Sequence, residues 1–353
     1  MNIALDLSPI ESKDSVNHRV RGTGFYTKNL KEALLKYFPE NKYTFFTRGN
    51  KLPKNTDLVH YPYFEPFFLT LPIFPSFPFV VTVHDLTPLV FPKNFPKGIK
   101  GDIKWQLQKG RLKKARRVIA DSLSSGKDIA RYAGIEEDKI DVVYLASDEK
   151  FKKKELSKEE VYKLRKKYNL PENFALYVGD VTWNKNLPRL VEASVKAKIP
   201  LAMVGKALVD KDFDVLNPWN QDLLKVQNLC EKNKNIIRIG FVEEDDLVGL
   251  YNIASVFIMP SLYEGFGLPV LEAMSCGCPV ITSKEGSLSE VAGDAVCYID
   301  ATNLKDIENS LRKVFYEKNL QEELSRKGLL QSKKFSWKKT TDFTVETYRK
   351  ALE

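Results

Sequence analysis

The sequence is poor in the residues that form metal centres and disulfide frameworks: its 353 residues include four cysteines and three histidines. No cysteine belongs to a C-x-x-C pair of the kind that binds zinc or carries out redox chemistry; the four are Cys230, Cys276, Cys278 and Cys297. The histidines are too few for a His-rich metal site: His18, His60 and His84. We therefore predict no metal site, a reducing compartment, and cysteines that act as small buried side chains.

The sequence also lacks a membrane span and a secretion signal. No apolar run reaches the roughly 18 residues that cross a bilayer. The N-terminal segment MNIALDLSP has neither the basic start nor the cleavage site of a signal peptide. A hydrophobic content of 43% over 353 residues is sufficient for two domains of roughly 150 residues each. These features predict a cytoplasmic protein with two globular domains.

Positive charge is in excess, since the formal net charge is +9. Such a balance fits nucleic acid, an anionic membrane surface or a lysine-rich solvated surface. Zinc-finger spacing and RNA-binding aromatic motifs are absent, so we expect no nucleic-acid partner. Residues 93–117 contain ten Lys or Arg against Asp102 alone, interleaved with apolar residues and Trp105. The pattern predicts a basic helix that lies either on a membrane surface or with its basic face in solvent, and the sequence leaves both open.

Residues 61–79 alternate aromatic residues with prolines, as in PYFEPFFLTLPIFPSFPF. So many prolines exclude a central strand or a helix. The segment is either a loop packed on its own side chains or an apolar surface near an acceptor site.

Residues 260–282, PSLYEGFGLPVLEAMSCGCPVIT, carry the densest pattern in the chain. The strand-forming run 255–259 precedes them, Pro269 suits the first turn of a helix, and Gly277 suits its left-handed cap. Strand, loop and helix in this order are typical of a parallel sheet whose ligands bind at the carboxyl ends of the strands. Backbone N–H groups at the start of the helix form an anion site there: Gly265, Phe266, Gly267 and Leu268.

Two carboxylates flank this predicted anion site, Glu264 in the loop and Glu272 in the predicted opening turn of the helix. A carboxylate beside a phosphate site is suited to accept hydrogen bonds from sugar hydroxyls. Compensation of the helix dipole explains Glu272 equally well. Glu264, between an aromatic residue and glycines, is predicted to bind a ligand.

Three further loops carry candidate residues. Lys185 follows the strand 174–179, in a position that suits phosphate charge. His84 follows the strand 80–83, where it either faces a ligand or bonds to neighbouring backbone. Gly22 and Gly24 are predicted to open a helix over 25–37, where they allow either close approach of a ligand or a plain turn. The Asp-x-Asp triplet 212–214 lies in a polar loop, and we predict that it is a surface feature.

Glu264 and Glu272 form a Glu-x7-Glu pair within EGFGLPVLEAMSCGCPVI, which resembles the donor-site signature of glycosyltransferase family 4, the group 1 glycosyl transferases. The segments RGTGFYTKNL and VTVHDLTPLVFP resemble the same family, and the resemblance is to its mannosyl- and rhamnosyltransferases. The resemblance implies the GT-B architecture: two Rossmann-like, doubly wound α/β domains that face each other across a cleft. The expected ranges are 1–165, 166–335 and a terminal helix, 336–353, that crosses back.

The resemblance also implies a reaction: transfer of a hexose, with retention, from a nucleoside diphosphate sugar such as a GDP- or UDP-sugar. No metal and no cofactor beyond this donor are expected. The acceptor would be a saccharide or a lipid-linked sugar in cell-envelope polysaccharide or glycolipid synthesis, on the inner face of the membrane. The alternative is a catalytically weak nucleotide-sugar-binding protein of the same fold.

Residue roles follow from the resemblance in the same way. The expected catalytic residues are Glu264, His84 and Lys185. Glu264 is expected to bind the sugar hydroxyls, His84 to lie near the reacting carbon, and Lys185 to contact the diphosphate. The expected donor-binding residues are those of the diphosphate, ribose and base sites: Gly22, Gly24, Gly265, Phe266, Gly267, Leu268, Glu272 and Val242. Asp180 stands where the family usually has Arg, which removes one positive charge from the expected diphosphate site.

Overall fold

The computed structural model describes residues 1–11 and 20–353, and side chains in the second range from residue 22 onward. His18 and most of the loop predicted after the first strand lie outside the described residues. The chain packs as two compact units, one of residues 1–146 with 335–353 and the other of residues 147–334. The predicted boundary at 165 falls within the second unit.

The first unit contains a parallel sheet of six strands in the order β2-β1-β3-β4-β5-β6. The strands are β1 (Asn2–Asp6), β2 (Lys42–Phe46), β3 (Leu58–Tyr61), β4 (Phe79–Val83), β5 (Arg117–Ala120) and β6 (Ile140–Val142). Strands β3 and β4 are buried throughout, as expected for strands covered on both faces. The helices between them are α1 (Ser8–Glu11), α2 (Val20–Tyr37), α3 (Thr87–Val90), α4 (Gly98–Leu112) and α5 (Leu123–Asp128), which continues into a π-turn (Ile129–Ala133).

The second unit contains a parallel sheet in the order β12-β11-β10-β7-β8-β9. Its strands are β7 (Ala175–Val178), β8 (Leu201–Val204), β9 (Ile236–Ile239), β10 (Val256–Met259), β11 (Val280–Thr282) and β12 (Cys297–Tyr298). Its helices are α6 (Lys158–Tyr168), α7 (Leu187–Ala197), α8 (Gln221–Glu231), α9 (Glu244–Ile253), α10 (Leu268–Ser275), α11 (Leu288–Ala292), α12 (Leu304–Tyr316) and α13 (Lys318–Ser332).

The last helix, α14 (Trp337–Leu352), returns to the first unit and packs against α2 and strands β3 to β5. The Ser336 side chain caps it by accepting from Lys339 N. Thr340 donates to the Tyr144 carbonyl at 2.8 Å, and Tyr348 is hydrogen-bonded to His60 Nδ1 at 2.7 Å. These contacts join the C-terminal helix to the sheet of the first unit.

The predicted fold class of two doubly wound parallel sheets is confirmed. The proline-rich segment 62–78 contains neither helix nor strand, as its composition predicts. The predicted start of the second helix was wrong: α2 already includes Val20, so Gly22 and Gly24 lie within it. None of the described helices is both long enough and apolar enough to cross a bilayer.

Strand order decides which loops meet. In the second sheet β7 and β10 are neighbours, although about 80 residues separate them along the chain. The order reverses between them, and ligands of open α/β sheets bind at such a switch point. In the first sheet β3, β4 and β5 are consecutive neighbours, so the residues that follow them share one edge of the sheet.

Candidate functional site

The loops after β7 and β10 bring Lys185 and Glu264 together. Lys185 Nζ lies 2.8 Å from both carboxylate oxygens of Glu264, so the ion pair is bidentate. Glu264 is 7% exposed, and the Lys185 side chain is 20% exposed. Two residues predicted separately for one ligand site therefore meet at the switch point of the second sheet.

Asparagine side chains hold the two loops in register. Leu262 N donates to the Asn184 carbonyl at 2.6 Å, and Asn184 Nδ2 donates to the Tyr263 carbonyl at 3.0 Å. Asn186 has φ 59°, a left-handed conformation that asparagine tolerates better than most residues. Its Nδ2 donates to the Pro260 carbonyl at 3.1 Å. These bonds place Lys185 beside Glu264 through the backbone rather than through the ion pair alone.

A second loop fixes the backbone of Glu264. Its carbonyl accepts from both Ser287 N and Ser287 Oγ, each at 3.1 Å. Gly286, with φ +62°, lies against it, and a Cβ there would stand 2.4 Å from the Glu264 carbonyl oxygen. The approach is therefore possible only for glycine.

The predicted anion site begins α10. Gly267 takes φ +89° and Phe266 is buried, so the loop of residues 265–268 is compact. A helix start is suited to phosphate because its first N–H groups lack acceptors within the helix. In α10, Pro269 has no N–H and Val270 N donates to the Gly267 carbonyl at 3.0 Å, so the candidate donors are those of the predicted loop 265–268. Gly277 closes the helix at φ +70°, as the sequence predicts, and Cys278 N donates to the Ala273 carbonyl at 2.9 Å.

Glu272 is the fifth residue of α10, just past the first turn in which it was predicted to lie, so compensation of the helix dipole does not explain it. It is buried, and Tyr251 donates a hydrogen bond to Oε2 at 3.0 Å. Burial raises the pKa of Glu272 to about 8, against the opposing effect of the Tyr251 hydrogen bond. The carboxyl is therefore largely protonated at neutral pH.

The other donor-site candidates of the second unit occupy neighbouring loops. Val242 is buried in the loop between β9 and α9. Asp180 is exposed in the loop after β7, and its carbonyl accepts from the Tyr177 hydroxyl at 2.8 Å. The triplet 212–214 is exposed or half-buried, in agreement with the surface prediction.

In the first unit His84 follows β4, and each of its ring nitrogens has a hydrogen-bonding partner. Nδ1 lies 2.7 Å from Asp121 Oδ2, and Nε2 lies 3.0 Å from the Pro62 carbonyl oxygen. Burial lowers the pKa of His84, but the charge and hydrogen bond of Asp121, the hydrogen bond to the Pro62 carbonyl and the charge of Asp85 together outweigh it, so the pKa lies above its usual value. The backbone contact is one of the two alternatives weighed from the sequence, and the other, contact with a ligand, stays a prediction.

The glycines of the first unit have different surroundings. Gly22 is exposed, with open space where a Cβ would stand, whereas Gly24 is buried in α2. Next to them, Tyr26 presents its ring edge-on to His84 at 4.9 Å between centroids. Its hydroxyl lies 3.0 Å from Thr82 Oγ1, which in turn lies 2.8 Å from His60 Nε2. A buried polar chain thus runs from α14 to the neighbourhood of His84.

Sequence reasoning missed Asp121 and Tyr251, which contact two of the predicted residues. A signal for Asp121 was present: it follows the strand next to that of His84, at the same edge of the sheet. Tyr251 had none, since it lies within a helix with ordinary apolar spacing. Among the described residues, no group of three or more His, Cys, Asp or Glu side chains is placed to hold a metal ion. Three of the four cysteines are buried: Cys230, Cys276 and Cys278.

Two families of known proteins match separate parts of the chain. Residues 159–331 match the family described as Glycosyl transferases group 1, and residues 12–150 match Glycosyltransferase Family 4. The two matches lie in the order of the two predicted domains.

Two curated relatives from Escherichia coli each cover about three quarters of the chain. The O-antigen chain mannosyltransferase B of Escherichia coli is 31% identical over 280 residues, covering 76% of this chain and 70% of that protein. The serotype-specific mannosyltransferase WbdA of Escherichia coli is 29% identical over 285 residues, covering 78% of this chain and 34% of that protein. The chain spans about a third of the length of the WbdA proteins that it matches.

Solved structures share the fold. Sucrose-phosphate synthase from Thermosynechococcus elongatus superposes with a TM-score of 0.76 at 19% identity, over 99% of this chain and 98% of that chain. Anabaena HepE in complex with UDP and glucose gives 0.70 at 18% identity, over 99% of both chains. At these identities the likeness concerns the fold alone, which is GT-B. Since both family matches and a relative 31% identical over three quarters of the chain agree, the protein belongs to glycosyltransferase family 4, the group 1 glycosyl transferases.

Proposed function

We propose that the protein transfers a hexose, with retention, from a GDP- or UDP-sugar to a saccharide or lipid-linked acceptor. The reaction would need neither a metal nor a cofactor beyond the donor. One observation carries the proposal: the bidentate Lys185–Glu264 pair at the switch point of the second sheet, next to the start of α10. Such a site has a cation and N–H donors for a diphosphate, and a carboxylate for hydroxyls.

Catalysis in this proposal is positioning and electrostatics. The departing diphosphate takes hydrogen bonds from the N–H groups of residues 265–268 and the charge of Lys185. Lys185 then exchanges part of its contact with Glu264 for phosphate oxygens, which releases Glu264 oxygens for the sugar hydroxyls. Glu272 would hold the ribose, and Val242 would lie beside the base.

The relatives favour a particular sugar and process. The relatives that cover 76–78% of this chain are named as mannosyltransferases, and one is named for the O-antigen chain. We therefore propose mannose as the hexose and cell-envelope polysaccharide as the product, made at the cytoplasmic face of the membrane. The Anabaena structures with UDP and UDP-glucose support a nucleotide-sugar donor.

Donor binding is expected to depend on pH through Glu272. Ribose hydroxyls donate to a carboxylate, so the donor favours the ionised form and lowers the pKa of this group from its unliganded value of about 8. Below that value binding must release a proton, and the affinity falls as the pH falls. Above it the affinity is independent of this group.

Thermal-shift measurements with UDP, GDP, ADP, dTDP and CDP, with and without magnesium, test the proposal. We expect a shift with one of them, independent of magnesium, that increases between pH 7 and 9. A ligand at one hundred times its dissociation constant adds about 2.7 kcal/mol to stability, which is readily detected. In Glu272→Gln the shift should be smaller and lose its pH dependence. A Glu272→Gln shift as large and as pH-dependent as that of the wild type would contradict the role of Glu272.

Asp180 favours the second candidate, a weak nucleotide-sugar binder, because it removes a cation that the family usually places near the diphosphate. Nucleotide binding without transfer to any acceptor would support that candidate. Transfer of radiolabelled mannose from GDP-mannose to a lipid-linked acceptor would eliminate it.

The membrane-surface proposal has support from α4. Ile99 and Ile103 are exposed and lie one turn apart, so they share a face of the helix, with Lys100 and Lys104 beside them. The opposite face is buried around Trp105. Since each lysine near an anionic surface contributes about 1 kcal/mol, this face suits an anionic lipid bilayer.

The proline-rich loop packs against the buried face of α4. Gln108 of α4 donates to Thr70 Oγ1 at 2.6 Å, and Arg111 donates to the Leu71 carbonyl at 2.9 Å, so loop and helix are tied together. Phe74 of the loop is 86% exposed. The loop is therefore held on the face of α4 opposite Ile99 and Ile103.

Sedimentation with vesicles tests this surface. We expect binding to phosphatidylcholine vesicles that contain phosphatidylglycerol, and weaker binding to phosphatidylcholine alone. Replacing Ile99 and Ile103 with glutamine should reduce binding at least tenfold. Leu216→Gln, which alters an equally exposed apolar residue of the second unit (86% exposed), is the control and should bind like the wild type. Equal binding by all variants would rule out the α4 surface.

A further inference from the structure

We propose that Asp121 is a positioning residue that keeps His84 as a doubly protonated imidazolium, with Nε2–H held on the Pro62 carbonyl. His84 would then act in the proposed transfer as a fixed positive charge and hydrogen-bond donor, not as a general base. The inference rests on the proposed function for its catalytic meaning, but the protonation state itself is independent of that function.

The two partners of His84 determine its proton count. The Pro62 carbonyl can only accept a hydrogen bond, and an ionised Asp121 carboxylate can only accept one. Each ring nitrogen must therefore carry a hydrogen. A neutral ring would direct a lone pair at one of these oxygens, at 2.7 or 3.0 Å, and lose that bond.

The excess proton could in principle reside on Asp121 instead. The ordinary pKa of imidazole exceeds that of an aspartic acid by about 2.6 units, so the proton rests on the ring unless the surroundings reverse that order. The His84 side chain is 18% exposed, which leaves the cation some hydration, whereas that of Asp121 is 2% exposed. Burial raises the pKa of Asp121, whereas the charge of His84 and its hydrogen bond lower it. No described donor bonds Asp121 Oδ1, so His84 is the described partner that stabilises the ionised carboxylate.

The other titratable groups around His84 are consistent with a cation there. Asp85 is a second carboxylate that favours the charged ring. Burial lowers the pKa of His60 to about 3, so His60 stays neutral and adds no competing charge. Burial also raises the pKa of Tyr26 well above its usual value, so its edge-on ring is neutral too.

The position of the His84 imidazolium in the fold determines what it can do in the reaction. Pro62, His84 and Asp121 follow the adjacent strands β3, β4 and β5, so the imidazolium ties three strand ends together at one edge of the sheet. Ser125 Oγ donates to the His84 carbonyl at 3.0 Å and holds its backbone. A ligand oxygen can replace the Pro62 carbonyl as the acceptor of Nε2–H. A group fixed in this form cannot remove a proton from an acceptor hydroxyl.

Nitrogen-15 NMR of the full chain tests the protonation state directly. Three histidines give three sets of ring signals, and His84→Gln assigns the relevant one. We expect both His84 nitrogens to be protonated at pH 7.5. In Asp121→Asn the proton affinity of the ring should fall at least tenfold. Ser125→Ala, which removes a neutral bond to the same residue, should leave the ring titration unchanged.

A wild-type spectrum with one unprotonated His84 nitrogen at neutral pH would overturn the inference, without need of any variant. An unchanged titration in Asp121→Asn would overturn the role of Asp121.

The pH profile of kcat/KM adds the catalytic readout. The raised pKa of His84 keeps the ring charged up to higher pH, so kcat/KM should fall on the alkaline side of the profile. This alkaline limb should move to lower pH in Asp121→Asn but not in Ser125→Ala. A profile without this shift would show that the cation has no part in transfer, even if the spectrum shows an imidazolium.

Discussion

Glu264→Ala is expected to lower kcat about a thousandfold while the protein remains folded. The substitution removes the carboxylate proposed to hold the sugar hydroxyls and leaves Lys185 without the partner 2.8 Å away. A lysine released from this carboxylate can bind phosphate more tightly in the ground state, so nucleotide affinity should persist or rise. Initial-rate measurements with donor in excess, beside circular dichroism, separate loss of catalysis from loss of fold.

Glu308→Ala is the matched control for this substitution. Glu308 is also 7% exposed and also ion-paired, with Lys305 at 3.2 Å and Arg312 at 3.3 Å, but it lies on α12 outside the proposed site. The two variants should lose similar stability, and only Glu264→Ala should lose turnover. A kcat within tenfold of the wild type for Glu264→Ala would remove Glu264 from the mechanism.

Local patterns were sufficient to predict the elements around the site. Strand-forming runs, Pro269 and Gly277 predicted the β10–α10 unit and its ends, because turn and cap chemistry is local. The same patterns placed Lys185 and Glu264 after strands. Their meeting could not be derived from spacing, since it depends on β7 and β10 being neighbours in the sheet.

The errors have physical causes too. Glu272 was placed in the first turn because Pro269 fixes a helix start only to within a residue or two. Its burial and its Tyr251 bond depend on the packing of α9, and a sequence pattern does not describe packing between helices. Asp121 was not among the predicted site residues, because its pairing with His84 depends on the order of β4 and β5 in the sheet.

Gly286→Ala should reduce kcat about a hundredfold without replacing any residue proposed to bind a ligand, because it displaces Glu264. The new Cβ would stand 2.4 Å from the Glu264 carbonyl oxygen and 2.9 Å from its nitrogen. Both are backbone atoms, so no side chain can rotate away. Ser287 holds the same carbonyl with two hydrogen bonds, and these must lengthen when the loop shifts.

Gly98→Ala separates this displacement from backbone strain. Gly98 has φ +60°, close to the +62° of Gly286, but nothing lies within 4 Å of its Cβ position. Both variants carry the cost of a left-handed alanine, roughly 1–2 kcal/mol, whereas overpacking adds about 1–3 kcal/mol in Gly286→Ala alone. Chemical denaturation and initial rates should therefore show a larger stability loss and a loss of turnover only at Gly286. Equal stability and equal kcat of the two variants would contradict the prediction. The loop would then accommodate the new Cβ without displacing the Glu264 carboxylate.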